Sequence, residues 1–139
     1  MNPDKRDILA ILRSELTFVE QGGYCRTNAR GWWPTLIFED SPACPNYNDR
    51  SRPHACSECA LLPLVPEAKR SEPSPCRFIP ITVEGETIED FYRVGTQQEL
   101  EAALKQWLRV KIGVMEIRRA LAKNDLLRTS NDRCLLPMR

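Results

Sequence analysis

Residues 24–95 hold all eleven prolines of the chain except Pro3 and Pro137, and five of its six cysteines. Each proline fixes φ and removes a backbone donor, so no long helix can run through most of this stretch. A strand here is confined to a sheet edge or an irregular segment. Regular structure of any length must therefore come from the two flanks, and the middle needs some other source of order.

Both flanks read as helices. Residues 3–21 place Asn2 at the N-cap and Pro3 at the first helical position, with Asp4 and Asp7 at the positive end of the dipole. Leu9, Leu12, Leu16 and Val19 recur at helical spacing, Ile8, Ile11 and Phe18 widen the stripe, and Gly22-Gly23 stops it. On the far side, "TQQE" is a capping box in which Thr96 and Glu99 satisfy each other's backbone amides. A helix follows over residues 97–123. Leu100, Ala103, Trp107, Val110, Val114, Ile117 and Leu121 alternate spacings of three and four, and Leu104, Leu108 and Met115 broaden the seam. This seam is expected to pack on the first helix. That helix is too short to cover all of it, so the part around Val114, Ile117 and Leu121 points to a protein partner or self-association. The segment 125–139 reads as a loosely ordered tail.

Within the middle, "TLIFE" (35–39) and "RFIPIT" (77–82) suggest short strands, "VEGE" (83–86) a turn, and "TIEDFYRVG" (87–95) a short helical or extended connector. The expected architecture is α+β: one domain over residues 1–124, with two terminal helices packed around an irregular, proline-rich, metal-organised segment with short strands.

Cys44, Cys56, Cys59 and Cys76 are spaced C-x11-C-x2-C-x16-C. A two-residue gap lets both sulfurs of a Cys-x-x-Cys turn face one ion, and two more thiolates from flanking loops complete a tetrahedron. Pro42, Pro45, Pro53 and Pro75 bend the chain beside them, which lowers the entropy lost when the loops close on an ion. Structural zinc is the expected cofactor, able to supply folding free energy on the order of 10 kcal/mol. An iron–sulfur cluster is a rival, although the spacing matches neither common ferredoxin pattern. A thioredoxin-like pair is a weaker one, since "RPHACSEC" follows a polar turn and not a strand. The four-cysteine set is complete without His54, which is read as a neighbour of the site. Cys25 is read as a partly buried free thiol, and Cys134 has no partner that can be named.

The cysteine set resembles zinc-finger-type modules in the loosest sense. It departs from zinc ribbons and rubredoxins, which carry two Cys-x-x-Cys knuckles where this chain has one, at Cys56 and Cys59. The resemblance implies no function.

Other features carry less. "CRTNARGWWPT", with two arginines beside Trp32 and Trp33, could meet single-stranded nucleic acid, although tryptophans more often pack. Lys105, Arg109, Lys111, Arg118, Arg119 and Lys123 against Glu116 read as a solvated helix face, and a net charge of +1 argues against a polyanionic partner for the whole surface. No catalytic set is present: one histidine, no phosphate-binding loop, and no open coordination position on a four-thiolate metal. No apolar run approaches the ~20 residues of a membrane span, and the charged N-terminus lacks a signal-like apolar region. A cytoplasmic location is expected, where thiols stay reduced. The functional expectation is a small zinc-binding scaffold or binding module acting through protein contacts. A nucleic-acid-binding regulator using residues 24–35 is the alternative, and a redox or iron–sulfur protein the second.

Overall fold

The computed structural model describes residues 3–27 and 35–135, without the side chains of residues 26, 27 and 125–135. Asn2, Arg30, Trp32, Trp33 and Cys134 therefore lie outside the described residues or side chains. So does most of the arginine–tryptophan loop.

Helix α1 spans Ile8–Glu20 and starts later than its composition suggests. Asp7 is the N-cap, its carboxylate accepting from the Ala10 amide at 3.2 Å. Pro3 to Arg6 stay outside the helix because Asp4 and Arg6 are engaged elsewhere. Gly22 takes φ +72°, the left-handed step that ends α1 after Gln21, and a second short helix, α2, spans Gly23–Thr27. Helix α3 spans Ile88–Val94, opened by a capping box between Thr87 and Asp90. Helix α4 spans Gln97–Leu135, past the expected end near Lys123. Its Thr96–Glu99 box is formed, with Thr96 N–H donating to Glu99 at 2.8 Å and Glu99 N–H to Thr96 Oγ1 at 3.0 Å.

The expected α+β class is corrected: the described residues are helical and contain no strand or sheet. In "TLIFE" the chain coils at once. Phe38 takes φ +64°, Asp40 N–H donates to the Leu36 carbonyl, and Ile37 N–H donates to the Tyr92 hydroxyl at 2.8 Å. Ile37 and Phe38 are adjacent and both buried, which a two-faced strand cannot arrange. "RFIPIT" begins inside a single 3-10 turn, Pro75–Phe78, and then makes one antiparallel bridge, Pro80 to Thr87. Pro80 has no amide to extend that bridge into a ladder. The turn read at 83–86 forms, with Gly85 at φ +88° donating its N–H to the Thr82 carbonyl.

Helices α1 and α4 run antiparallel. Glu20 meets Arg109 at 2.9 Å, Arg13 meets Glu116 at 2.6 Å, and Asp7 meets Arg119 at 2.5 Å. These exposed pairs set direction more than stability. They also take up two cations of the basic face, Arg109 and Arg119. The buried row of α4 is Leu100, Leu104, Leu108 and Ile112, packed with Leu9, Ile11, Leu12 and Val19 of α1. The three–four seam expected from the sequence is corrected accordingly. Trp107 is only partly buried and turns its ring edge-on to Phe38, while Val110, Val114, Ile117 and Leu121 are exposed. Thirteen residues of α1 reach about 20 Å, roughly a third of the ~58 Å of α4, so most of the long helix cannot be covered by it. The other side of the core is the irregular segment itself, through Ile37, Phe38, Leu61, Val65, Ile79, Ile81 and Ile88.

Candidate metal centre

The proline-rich segment folds into consecutive tight turns, and three of them carry the cysteines. Cys44 sits in a run of turns after Ser41. Cys56 opens the 3-10 turn Cys56–Glu58, which Cys59 closes by donating its amide to the Cys56 carbonyl at 3.2 Å. Cys76 sits in the turn Pro75–Phe78. All four cysteines line one cavity with about 40 Å³ of free space. Its walls are Phe38, Leu61, Leu62, Val65 and Pro75, and Glu39, Asn46, Arg52 and His54 supply the polar lining. Cys56 is exposed, and the other three are half-buried. Cys25 is exposed and lies outside this cavity, in place of the partly buried position expected for it. The four cysteines share this cavity, yet among the described residues no three His, Cys, Asp or Glu side chains form a group that could hold a metal ion.

Four devices hold the turns in place. Asn46 clasps His54 by both backbone groups, donating from Nδ2 to its carbonyl at 2.7 Å and accepting its N–H at 2.9 Å. That pair closes the loop between Cys44 and Cys56 and holds Arg52 at φ +45°. The N-terminal residues staple two cysteine turns together. Arg6 donates to the carbonyls of Pro42 at 2.9 Å and Ala43 at 2.6 Å, just before Cys44. It also forks onto Asp4, whose carboxylate accepts the Ala60 amide at 3.0 Å while its own N–H donates to Glu58, on either side of Cys59. Arg77 binds Glu39 through two nitrogens, at 2.9 and 3.2 Å, tying the Cys76 turn to the segment before Cys44.

The fourth device is buried. Glu15, on the apolar face of α1, accepts from Ser41 Oγ at 2.6 Å and from the Tyr24 hydroxyl. Tyr24 in turn accepts the Phe38 amide at 2.8 Å, and Ser41 Oγ accepts the Ala43 amide at 3.2 Å. The loop that delivers Cys44 is thus hung from a carboxyl inside the core. Burial pushes the Glu15 carboxyl up from its ordinary value, against the lowering effect of its two hydroxyl donors.

Burial also raises the thiols of Cys76, Cys44 and Cys59, favouring the protonated form without a positive partner. Backbone donors oppose this: the Leu61 amide points at Cys59 Sγ at 3.4 Å, and the Asn46 amide bonds Cys44. Each lies two residues beyond its cysteine and each stabilises a thiolate. Arg6, close enough to feel Cys59 and Cys44, and Arg52, near Cys44, add positive charge.

The cysteines were legible from their spacing, but Asp4, Arg6, Glu15, Glu39 and Asn46 were not singled out as their holders. Only Glu15 carried a visible signal, a charge set between Ile11, Leu12 and Val19 on an otherwise apolar face. No family model matches the chain, and no curated protein or solved structure showed significant similarity to it. No helix of the described residues is long and apolar enough to cross a membrane.

Proposed function

We propose that this chain is a metal-binding protein whose loops are fixed by a thiolate-ligated centre at Cys44, Cys56, Cys59 and Cys76. Its long helix then binds a protein partner, first of all a second copy of itself. The observation that carries the reading is the meeting of four cysteines, from three separate turns, around one cavity braced from four sides. The centre is structural: four thiolates leave no open position for substrate or an activated water. Zinc is the occupant that the cysteine pattern alone favours. The engagement of Arg109 and Arg119 by Glu20 and Asp7 weighs against a nucleic-acid surface on α4.

The test is differential thiol protection. Alkylation of the native protein should modify Cys25 quickly and spare Cys44, Cys56, Cys59 and Cys76 until a strong chelator is added. Cys59→Ser should lower the melting temperature and metal content, whereas Cys25→Ser should change neither. Modification of Cys44, Cys56, Cys59 and Cys76 as fast as Cys25 before chelation, or no bound metal in freshly purified protein, would defeat the reading.

A further inference from the structure

Cys56 and Cys59 differ from the other described cysteines in being the two ends of one turn. The Cys59 amide donates to the Cys56 carbonyl at 3.2 Å and closes a 3-10 turn between them. A turn closed by that bond keeps its end residues within about 7 Å, Cα to Cα, and a disulfide needs about 4.4–6.8 Å. In 3-10 geometry side chains three residues apart also eclipse, so the two sulfurs leave the backbone on one side. Cys44 and Cys76 lie in turns of their own, tied down separately by Arg6 and by the Arg77–Glu39 pair. The two ends of the Cys56–Cys59 turn differ in access. Cys56 is exposed, whereas Cys59 is half-buried and the Leu61 amide donates to its sulfur at 3.4 Å. Both are free thiols.

We propose that hydrogen peroxide joins Cys56 and Cys59 in a reversible disulfide, and that this bond releases the ion from the centre. The release rests on the metal-binding reading above, while the pairing follows from the turn alone. Cys56, the exposed sulfur, attacks the peroxide: a sulfur–oxygen bond forms, the oxygen–oxygen bond breaks, and hydroxide leaves. The Cys59 sulfur then attacks that of Cys56, so that a sulfur–sulfur bond forms and the sulfur–oxygen bond breaks with loss of a second hydroxide. Two electrons pass from the sulfurs to the peroxide. Two thiolates, two protons and one peroxide thus give one disulfide and two waters. With an ion bound, the same step removes two of its four ligands, since the thiolate and not the disulfide binds metal. The braces of the neighbouring turns are hydrogen bonds within the chain, from Asn46 to His54, Arg6 to Ala43 and Ser41 to Glu15, so they outlast the ion. A small thiol reductant reverses the bond by exchange.

The experiment treats the full-length wild type, purified under reducing conditions, with hydrogen peroxide in small excess. Free thiols are then alkylated, the disulfide is located by peptide mass mapping, and freed zinc is read with a chromogenic chelator. Expected is one disulfide per chain, between Cys56 and Cys59, with zinc released in step with it and taken up again once a thiol reductant removes the bond. Cys56→Ser should lose the disulfide and slow peroxide-driven release about ten-fold or more, whereas Cys25→Ser should alter neither. A first disulfide between any other two cysteines, no disulfide at all, or Cys56 carried to the sulfinic acid with Cys59 still free would overturn the pairing and leave the metal centre standing. A Cys56–Cys59 bond that leaves bound zinc in place would overturn the release. The same bond in protein that never held a metal would overturn the centre and the release together. Wild-type measurements decide these outcomes, so a misfolded variant does not obscure them.

Discussion

Asn46 holds His54 by its carbonyl at 2.7 Å and its N–H at 2.9 Å, so one side chain does the work of a two-bond backbone bridge. The loop between them carries two left-handed residues, Asn48 at φ +58°, a conformation asparagine tolerates, and Arg52 at φ +45°, which local preference alone would not maintain. Asn46→Ala removes both bonds and strands partly buried backbone groups, at a cost of about 1–3 kcal/mol. It should also speed metal release to a chelator, because Cys44 and Cys56 lie at the two ends of the clasp. Asn46→Asp keeps the acceptor and loses the donor, so it should fall between. Thermal melts and release rates that do not distinguish the three proteins would show the clasp to be idle.

Arg6 spans two cysteine turns with a single planar group, reaching the Pro42 and Ala43 carbonyls and the Asp4 carboxylate together. A lysine cannot reproduce that fork. Arg6→Lys should therefore lose most of what Arg6→Ala loses, about 1–3 kcal/mol by denaturant titration. Recovery of wild-type stability by lysine would reduce the role of Arg6 to its charge.

Glu15 ties stability to pH in a definite direction. Its carboxyl is raised in the folded chain above the ordinary 4.5, so between those two values the folded state binds more protons than the unfolded one. The Glu15 contribution is fully present below the ordinary value, falls as pH rises towards the raised value, and is flat beyond it. Glu15→Gln cannot ionise. Its carbonyl can accept from Tyr24 and its amide can donate to Ser41, which already has the Phe38 carbonyl at 3.2 Å as another acceptor. The stability of Glu15→Gln relative to wild type should therefore improve as pH rises from about 4 to neutrality. Glu15→Ala instead removes the carboxylate that both hydroxyls donate to and should cost about 2–4 kcal/mol. A wild-type-minus-Gln difference independent of pH would show that the carboxyl keeps its ordinary titration.

The helices were legible because their signals are local. Apolar spacing over Leu9 to Val19 and the Thr96–Glu99 box each lie within a few residues of chain. Register on α4 was not, since Leu104 and Leu108 fit a wide stripe as well as the three–four seam did. Only the direction and length of α1 decide which row is buried. The strands failed for a related reason. Ile37, Phe38, Ile79 and Ile81 are apolar because tertiary packing buries them, and the left-handed Phe38 leaves no mark in the sequence. For the site, cysteine spacing was visible while the bracing was not. Arg6 reaches Pro42 across 36 positions, and Asp4 reaches Ala60 across 56. No periodicity reports contacts that distant.

Val110, Ile117 and Leu121 are 55%, 62% and 56% exposed, and with Val114 they form a row spaced four, three and four along α4. That spacing is the heptad seam of a helix pair. It lies on a different face from Leu100, Leu104, Leu108 and Ile112, so α1 cannot reach it, and the irregular segment leaves it open. A contiguous apolar row is unfavourable in water and favours burial against a like surface. At Gly113, beside the row, a Cβ would meet nothing within 4 Å, which leaves room for a second backbone to approach. The expected state is a dimer through this row. Ile117→Glu places a charge in the middle of the pair and should weaken association by about 100-fold or more, near 3 kcal/mol. The monomer should stay folded and keep its metal, because the side chain makes no core contact. Val83→Glu, on a fully exposed turn far along the chain, should leave the dimer intact. Light scattering over a concentration series reads all three proteins. A wild type that stays monomeric at high concentration, or a Val83→Glu variant that dissociates as readily as Ile117→Glu, would remove self-association from the reading and reserve the row for a different protein.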